Sequence, residues 1–313
     1  MRIGLDVMGG DFAPQATVAG AVLALKELSP DDKIVLFGDE KQIKEQLYAN
    51  NSSADDFEIV HTTEVIDMHD KPVKAFAAKK DSSISVGFEY LKEKKIDSFS
   101  SAGSTGVMLA GTIFSVGVME GILRPCLAAL IPKEQGGLTV LVDVGVNPDA
   151  KPEVLCQFGL LGSNYAKCAL KINTPKVGLL NIGEEAEKGN AQSQAAHTLM
   201  KDEKACCFVG NVEPIEIFKS NVDVVVCDGF VGNLIMKNIE ALARVFGKRG
   251  LVDDYVSRFN YEIYGGLPLL GANGVVIIGH GISNHKAIKT MILQSKNIYN
   301  SHITEKLREL LNN

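Results

Sequence analysis

Between residues 223 and 237 the sequence reads D-V-V-V-C-D-G-F-V-G-N-L-I-M-K, and this run restricts the fold more than any other part of the chain. Four apolar residues in a row, three of them β-branched, read as a buried strand that the following D-G-F-V-G must end. From Asn233 the apolar residues Leu234, Ile235, Ile239, Leu242 and Ala243 recur at helical spacing. The expected order is strand, glycine turn, helix, with Asp228 and Asn233 at the join. Open α/β sheets place ligands outside the carboxyl ends of their strands, at joins of this kind.

Taken alone, Gly229 and Gly232 need do no more than permit a tight turn. The pattern recurs, however, at 3–11 (I-G-L-D-V-M-G-G-D), 98–111 (S-F-S-S-A-G-S-T-G-V-M-L-A-G) and 178–190 (G-L-L-N-I-G-E-E-A-E-K-G-N). Several strands emptying into glycines and small polar residues suggest one shared polar cleft. Further strands are predicted at 34–37, 57–61, 205–209 and 275–278, with helices at 13–28, 41–49, 83–94, 153–171 and 286–311. Apolar runs at 127–131 and 138–144, joined by P-K-E-Q-G-G, read as a hairpin, so the helix-covered sheet is mixed and mostly parallel: an α/β fold. The chain is expected to form one domain over 1–313, with a helical excursion at about 234–264.

A net charge of −6 and a pI near 5.6, without a basic run, argue against a nucleic-acid partner. The N-terminus opens into a strand with no charged-then-apolar leader, which predicts a cytoplasmic protein. The longest apolar stretch, 107–123, is broken by glycines and Glu120 and reads as a buried helix rather than a membrane span. The cysteines form no C-x-x-C pair and read as reduced core thiols, and His280 and His285 are spaced wrongly for a helical metal pair, so no metal is expected.

The turn A-G-S-T-G at 102–106 offers backbone N–H groups and two hydroxyls that suit a phosphate-sized anion. It lacks the Walker spacing, and the chain has neither G-x-G-x-x-G with its distant acidic residue nor a G-x-S-x-G elbow. Direct displacement fits better than covalent catalysis, with Lys188 as a mobile cation and the Asn233 amide as a donor to an oxyanion. The lysine-rich run 71–83 reads either as a solvated face or, through Lys79, Lys80 and its serines, as an anion ligand.

These segments together make the chain resemble the bacterial acyl-carrier-protein:phosphate acyltransferases. The matching segments, in order, are D-V-M-G-G-D at 6–11, K-K-D-S-S at 79–83, S-A-G-S-T-G at 101–106, R-P-C-L-A at 124–128 and V-D-V-G-V-N at 142–147. They continue with G-L-L-N-I-G-E-E at 178–185, K-G-N at 188–190, C-D-G-F-V-G-N at 227–233, and Y-G-G-L-P-L-L-G with G-H-G within 264–281. The resemblance implies attack of inorganic phosphate on the thioester of a long-chain acyl carrier protein, without a cofactor. It assigns Lys188 and Asn233 to catalysis. It assigns Asp6, Gly9, Gly10, Asp11, Lys80, Ser83, Gly103, Ser104, Thr105, Gly106, Asn147, Gly183, Asn190, Asp228, Gly229, Gly232 and His280 to substrate and phosphate binding.

The family also implies a Rossmann-like three-layer α/β/α core related to isopropylmalate dehydrogenases, a homodimer, and peripheral association with the inner face of the membrane. Ser104 stands where the family usually has Asn, N-V-E at 211–213 lacks the usual Gly-Arg after it, G-H-G usually begins with Ser, and the helical excursion is shorter. Two other readings stay open: a phosphotransacetylase-like enzyme acting on acyl-coenzyme A, and a non-catalytic scaffold.

Overall fold

A computed structural model describes residues 1–312. In chain order its elements are β1 (Arg2–Asp6), α1 (Gln15–Leu25), β2 (Lys33–Gly38), α2 (Glu40–Ala49), β3 (Glu58–His61), α3 (Pro72–Ala78), α4 (Ser83–Lys92), β4 (Ser98–Ser101) and α5 (Thr105–Gly111). There follow β5 (Cys126–Pro132), β6 (Leu138–Val142), α6 (Pro152–Ala169), β7 (Lys176–Leu180), α7 (Ala191–Asp202), β8 (Cys207–Val212), β9 (Val224–Val226), α8 (Gly229–Lys248) and α9 (Asp254–Ser257). The chain then runs through β10 (Gly266–Leu270), β11 (Val275–Gly279), α10 (His285–Asn300) and α11 (Ile303–Asn312).

The elements divide into two compact units, the first made of Met1–Val118 and Tyr261–Asn300, the second of Met119–Asn260 and the chain from Ser301 on. In the first, the strand order is β3-β2-β1-β4-β11-β10, parallel except for the antiparallel β10–β11 pair. Successive strand residues point to opposite faces. Phe99 stacks edge-on against Phe88 of α4, whereas Ser100 hydrogen-bonds Ser295 of α10, so helices cover both faces of this sheet. Phe37, Phe88 and Phe99 are fully buried and form the aromatic centre of the α4 side.

The second unit orders its strands β5-β6-β9-β7-β8, with the predicted β5–β6 hairpin antiparallel and the other pairs parallel. Helix α6 lies on this sheet. A Cβ at Gly162 would stand 2.6 Å from Val224, so glycine there allows helix and sheet to approach. The mixed, mostly parallel helix-flanked sheet expected from the sequence is what forms.

Several boundaries differ from the expectation. Helix α8 begins at Gly229 rather than near Asn233, because Asp228 caps it directly by accepting from the Val231 N–H at 2.8 Å. No glycine turn separates strand from helix. The predicted helix over 107–123 stops early: α5 ends at Gly111 in a π-helical turn over Thr112–Val116, and Gly117 leaves it with φ 82°. The C-terminal helix is two helices, broken where His302 takes φ 54°. Strand β10 (G-L-P-L-L) is not among the strands predicted from the sequence. Among the described residues no helix is long and apolar enough to cross a membrane. All six cysteines are free; Cys126, Cys168, Cys206 and Cys227 are buried, and burial pushes the Cys206 thiol up to about 11.

Candidate active site

In the first unit the site residues collect where β1, β4 and β11 end. Asp6, the last residue of β1, is fully buried and accepts hydrogen bonds from the Ser101 hydroxyl at 2.6 Å and the Met8 N–H at 3.0 Å. Ser101 in turn accepts from the Gly103 N–H at 2.9 Å, so one carboxylate fixes both the 6–9 turn and the start of the 103–106 turn. A Cβ on Gly9 would fall 2.3 Å from the Asp6 carboxylate and 2.8 Å from the Gly103 nitrogen. Only glycine fits. The Asp11 N–H donates to the Gly281 carbonyl at 2.8 Å, which brings the His280 turn to the same place.

Burial raises the Asp6 carboxyl above its ordinary range, opposed by hydrogen bonds from Ser101, Ser83, Met8 and Gly9. A raised carboxylate stabilises the fold least once it ionises, so its contribution falls as pH rises from its ordinary value through its folded one. Asp6→Asn is therefore expected to gain stability relative to the wild type as pH is raised from acid to neutral, while Asp6→Ala, which strands these donors, loses about 1–3 kcal/mol. Urea unfolding across pH reads both effects.

Among the described residues, Ser104 and Thr105 keep hydroxyls without a hydrogen-bond partner at the start of α5, and Gly106 lies against Pro72 of α3. Two expected anion ligands are placed otherwise. Ser83 is buried and engaged with Asp6. Lys80 holds its ammonium 5.5 Å from the Phe76 ring centre, in a groove beside α3 and α4. His280 is exposed and accepts from the Ile282 N–H at 3.4 Å.

In the second unit a second buried aspartate repeats this design. Asp143, next after β6, accepts from the Leu127 N–H at 2.9 Å, and its other oxygen takes the Val146 N–H at 3.1 Å, the Asn147 N–H at 2.7 Å and the Asn147 amide at 2.9 Å. Asn147 also donates to the Pro125 carbonyl at 2.8 Å, and its own carbonyl takes the Gly229 N–H at 2.8 Å. The loop is thereby shaped as a seat for the first turn of α8. Glycines 229 and 232 sit on it: a Cβ on Gly229 would meet the Asn147 nitrogen at 2.8 Å, and one on Gly232 the Asp143 carbonyl oxygen at 1.9 Å. They are contact glycines, not turn glycines.

Asn233 follows in the same turn, half-buried. Its amide nitrogen lies so near Gly145 (φ 142°) that a Cβ there would be 2.8 Å away, and it makes no hydrogen bond among the described residues. The 181–190 loop is pinned by Asn181, whose amide donates to the Lys188 carbonyl at 3.1 Å, and by Asn211, which donates to the Glu185 carbonyl at 2.7 Å. Lys188 itself is exposed, its ammonium only loosely paired with Glu185 at 3.9 Å. Gly183 packs against the Lys188 stem, while Asn190 is occupied in capping α7 through the Ser193 N–H at 2.9 Å. Gln192 hydrogen-bonds the Ala150 carbonyl and so ties the start of α7 to the Asp143 loop.

The structure thus gathers Asp6, Gly9, Gly10, Asp11, Ser83, Gly103 and His280 in one unit, and Asn147, Asp228, Gly229, Gly232 and Asn233 in the other, with the loop of Gly183, Lys188 and Asn190 joined through Gln192. Sequence reasoning overlooked Asp143 and Ser101. A signal for Asp143 existed: D-V-M-G at 6–9 and D-V-G at 143–145 both put Asp-Val and then glycine at a strand end.

The family model described as "Fatty acid synthesis protein" matches residues 1–306. The phosphate acyltransferase of Halothermothrix orenii is 41% identical over 332 aligned positions, covering 100% of this chain and 99% of that protein. The phosphate acyltransferase of Caldicellulosiruptor bescii is 42% identical, covering 99% of this chain and 98% of that one. Among solved structures, a phosphotransacetylase from Streptococcus pyogenes superposes with TM-score 0.67 at 18% identity, covering 95% of this chain and 94% of its own. A branched-chain phosphotransacylase from Enterococcus faecalis gives 0.65 at 14%, covering 96% and 99%. At such identities the structural likeness concerns the fold alone.

Proposed function

The chain belongs to the fatty acid synthesis protein family, and on that premise we propose that the long-chain acyl group it transfers to phosphate is delivered by an acyl carrier protein. It is an acyltransferase acting in phospholipid synthesis. A phosphate oxygen attacks the thioester carbonyl, a C–O bond forms, the C–S bond breaks, and the thiolate leaves to take a proton as free thiol. Phosphate is partly dianionic at neutral pH and a thiolate is a good leaving group, so the enzyme need supply only proximity and charge stabilisation.

The observation that carries the assignment of roles is Asn233. A half-buried amide with no hydrogen-bond partner among the described residues, held by the first turn of a helix whose glycines fix its seat, is a preset donor for the thioester oxygen as it becomes an oxyanion. Lys188, on a loop pinned at both ends and with an exposed ammonium only loosely paired with Glu185, is assigned to the phosphate and its charge. Within the first unit, the unpartnered hydroxyls of Ser104 and Thr105, with the N–H groups at 104–106, are assigned to binding an anion. Asp6, Gly9, Gly10 and Gly103 in the first unit, and Asn147, Gly229 and Gly232 in the second, shape the backbone that presents these groups.

Purified protein given phosphate with palmitoyl-carrier protein, palmitoyl-coenzyme A or acetyl-coenzyme A, with thiol release followed, tests the reading. Release mainly from the palmitoyl-carrier protein is expected. Release only from acetyl-coenzyme A would establish instead the phosphotransacetylase-like reading, which rests on likeness of fold.

The second half of α8 is assigned to a second copy of the chain. Of the whole helix only Gly229 and Gly232, in its first turn, are buried, while Leu234, Leu242, Val245 and Phe246 are exposed, and a run of exposed apolar side chains on one helix marks an interaction surface. Sedimentation is expected to give a homodimer, and Leu242→Glu with Val245→Glu a monomer. Peripheral contact of the same face with lipid is the competing use, which vesicle flotation separates from dimerisation.

A further inference from the structure

The lysine-rich run 71–83 contributes little to the anion site, yet it lines a distinct surface of the first unit. Helices α3 and α4 and the π-helical turn after α5 enclose an open groove of about 560 Å³. Its floor is apolar, made by Val73, Phe76, Ala77 and Phe114, and Val73 and Phe114 are more than half exposed. Lys80 and Lys92 stand on its rim, and Lys74 is exposed on the same short helix as Val73. Among the described residues none of these three lysines has a carboxylate partner, in contrast to Lys79, paired with Asp70 at 2.7 Å, and Lys95, paired with Glu93 at 2.7 Å. Glu89 is the one carboxylate among the lining residues.

Resting on the reading that the acyl donor is a carrier protein, we infer that this groove is where the carrier docks: an acidic protein surface whose apolar ridge enters the groove while its carboxylates meet Lys74, Lys80 and Lys92. Charge complementarity carries the choice. The chain as a whole bears a net charge of −6, so an acidic partner is repelled at long range unless a local positive field captures it. This groove supplies one, around apolar side chains left open to water. A bare acyl chain has no use for the two rim lysines, or for Lys74 exposed on the adjoining helix, and a flat lipid surface does not fill a concavity.

Position supports the same occupant. Pro72, next to Val73 in α3, is the residue against which Gly106 packs, so a carrier seated in the groove stands beside the 103–106 turn. A flexible prosthetic arm then has a short distance to span, and docking raises the effective concentration of the thioester at that turn.

The test is steady-state kinetics of Lys74→Glu/Lys92→Glu, both exposed residues outside the assigned catalytic groups, with palmitoyl-carrier protein as the varied substrate. The expected result is a KM raised about tenfold with kcat unchanged, and loss of most of the salt dependence that the wild type shows in KM. Phe114→Ser is expected to raise KM with its salt dependence retained. The KM for phosphate stays as in the wild type in all variants.

If the wild type turns over palmitoyl-carrier protein but the double variant has the same KM, the docking site is refuted and the acyl-transfer reading stands. If the wild type does not use the carrier substrate, that reading fails and the docking site with it. Two further outcomes refute the site specifically: the double variant losing binding to phosphatidylglycerol vesicles with KM unchanged, which makes the groove a lipid surface, or losing self-association with KM unchanged, which makes it a contact between copies.

Discussion

Asn233→Ala is expected to lower kcat with palmitoyl-carrier protein by about 10²–10³-fold, the usual cost of removing one preset donor from an oxyanion site. The effect belongs in kcat rather than KM, because the carbonyl oxygen acquires most of its negative charge only as phosphate attacks. The melting temperature is expected to stay near that of the wild type, since the amide makes no hydrogen bond that folding would lose. Asn233→Asp is the sharper control: it keeps the shape but sets a negative charge where one must develop, so it is expected to be at least as slow as the alanine variant. Lys188→Ala is expected to differ in kind, raising the KM for phosphate as well as lowering kcat, because an exposed cation acts on bound and reacting anion alike. Alanine variants at both positions with near-normal turnover would remove the proposed chemistry from this loop and helix.

The second large effect is on folding. Gly232→Ala is expected to destabilise the protein by about 3 kcal/mol, because the new Cβ would lie 1.9 Å from the Asp143 carbonyl oxygen, which is backbone and cannot rotate away. Relief requires α8 to lift off its seat, so Asn233 shifts as well and activity falls further than stability alone explains. The same helix contains its own control. A Cβ on Gly247 would meet nothing within 4 Å, so Gly247→Ala is expected to stabilise the helix by about 0.5–1 kcal/mol. Chemical denaturation of both variants separates contact from propensity: if both alanines act alike, the seat on the Asp143 loop is not what holds the first turn.

These outcomes also mark what the sequence made legible. Alternating apolar runs and helical periodicity located the principal strands, and the P-K-E-Q-G-G turn located the antiparallel hairpin, because those signals are local. The start of α8 was misjudged for an instructive reason. Glycine after a strand ordinarily signals a turn, but at Gly229 and Gly232 its value is the absence of a Cβ against another loop, a contact with residues some 85 positions earlier. No local pattern encodes that contact. The break at 301–302 was hidden similarly, since N-S-H-I contains neither glycine nor proline.

The site was legible in part. Residue types suited to an anion were identifiable from the glycine-rich strand ends, but which of them retain a free polar group was not. Ser83 and Asn190 are consumed by structural hydrogen bonds, to Asp6 and at the cap of α7, whereas Ser104, Thr105 and Asn233 are not. Asp143 went unnoticed because a buried carboxylate that receives four hydrogen bonds acts on the chain around it, and its importance is visible only once those donors converge.

Of the 20 residues of helix α8 only the two seated glycines are buried, and from Arg244 to its end every residue is exposed. At 1.5 Å per residue it projects about 30 Å, which makes it mechanically a cantilever with Asn233 close to the clamp. A small swing of the far tip turns the clamped end through the same angle, and an amide has to keep its aim to serve as a donor. Whatever grips that tip therefore sets the steadiness of the carbonyl's hydrogen bond, and turnover should track how firmly the rod is held.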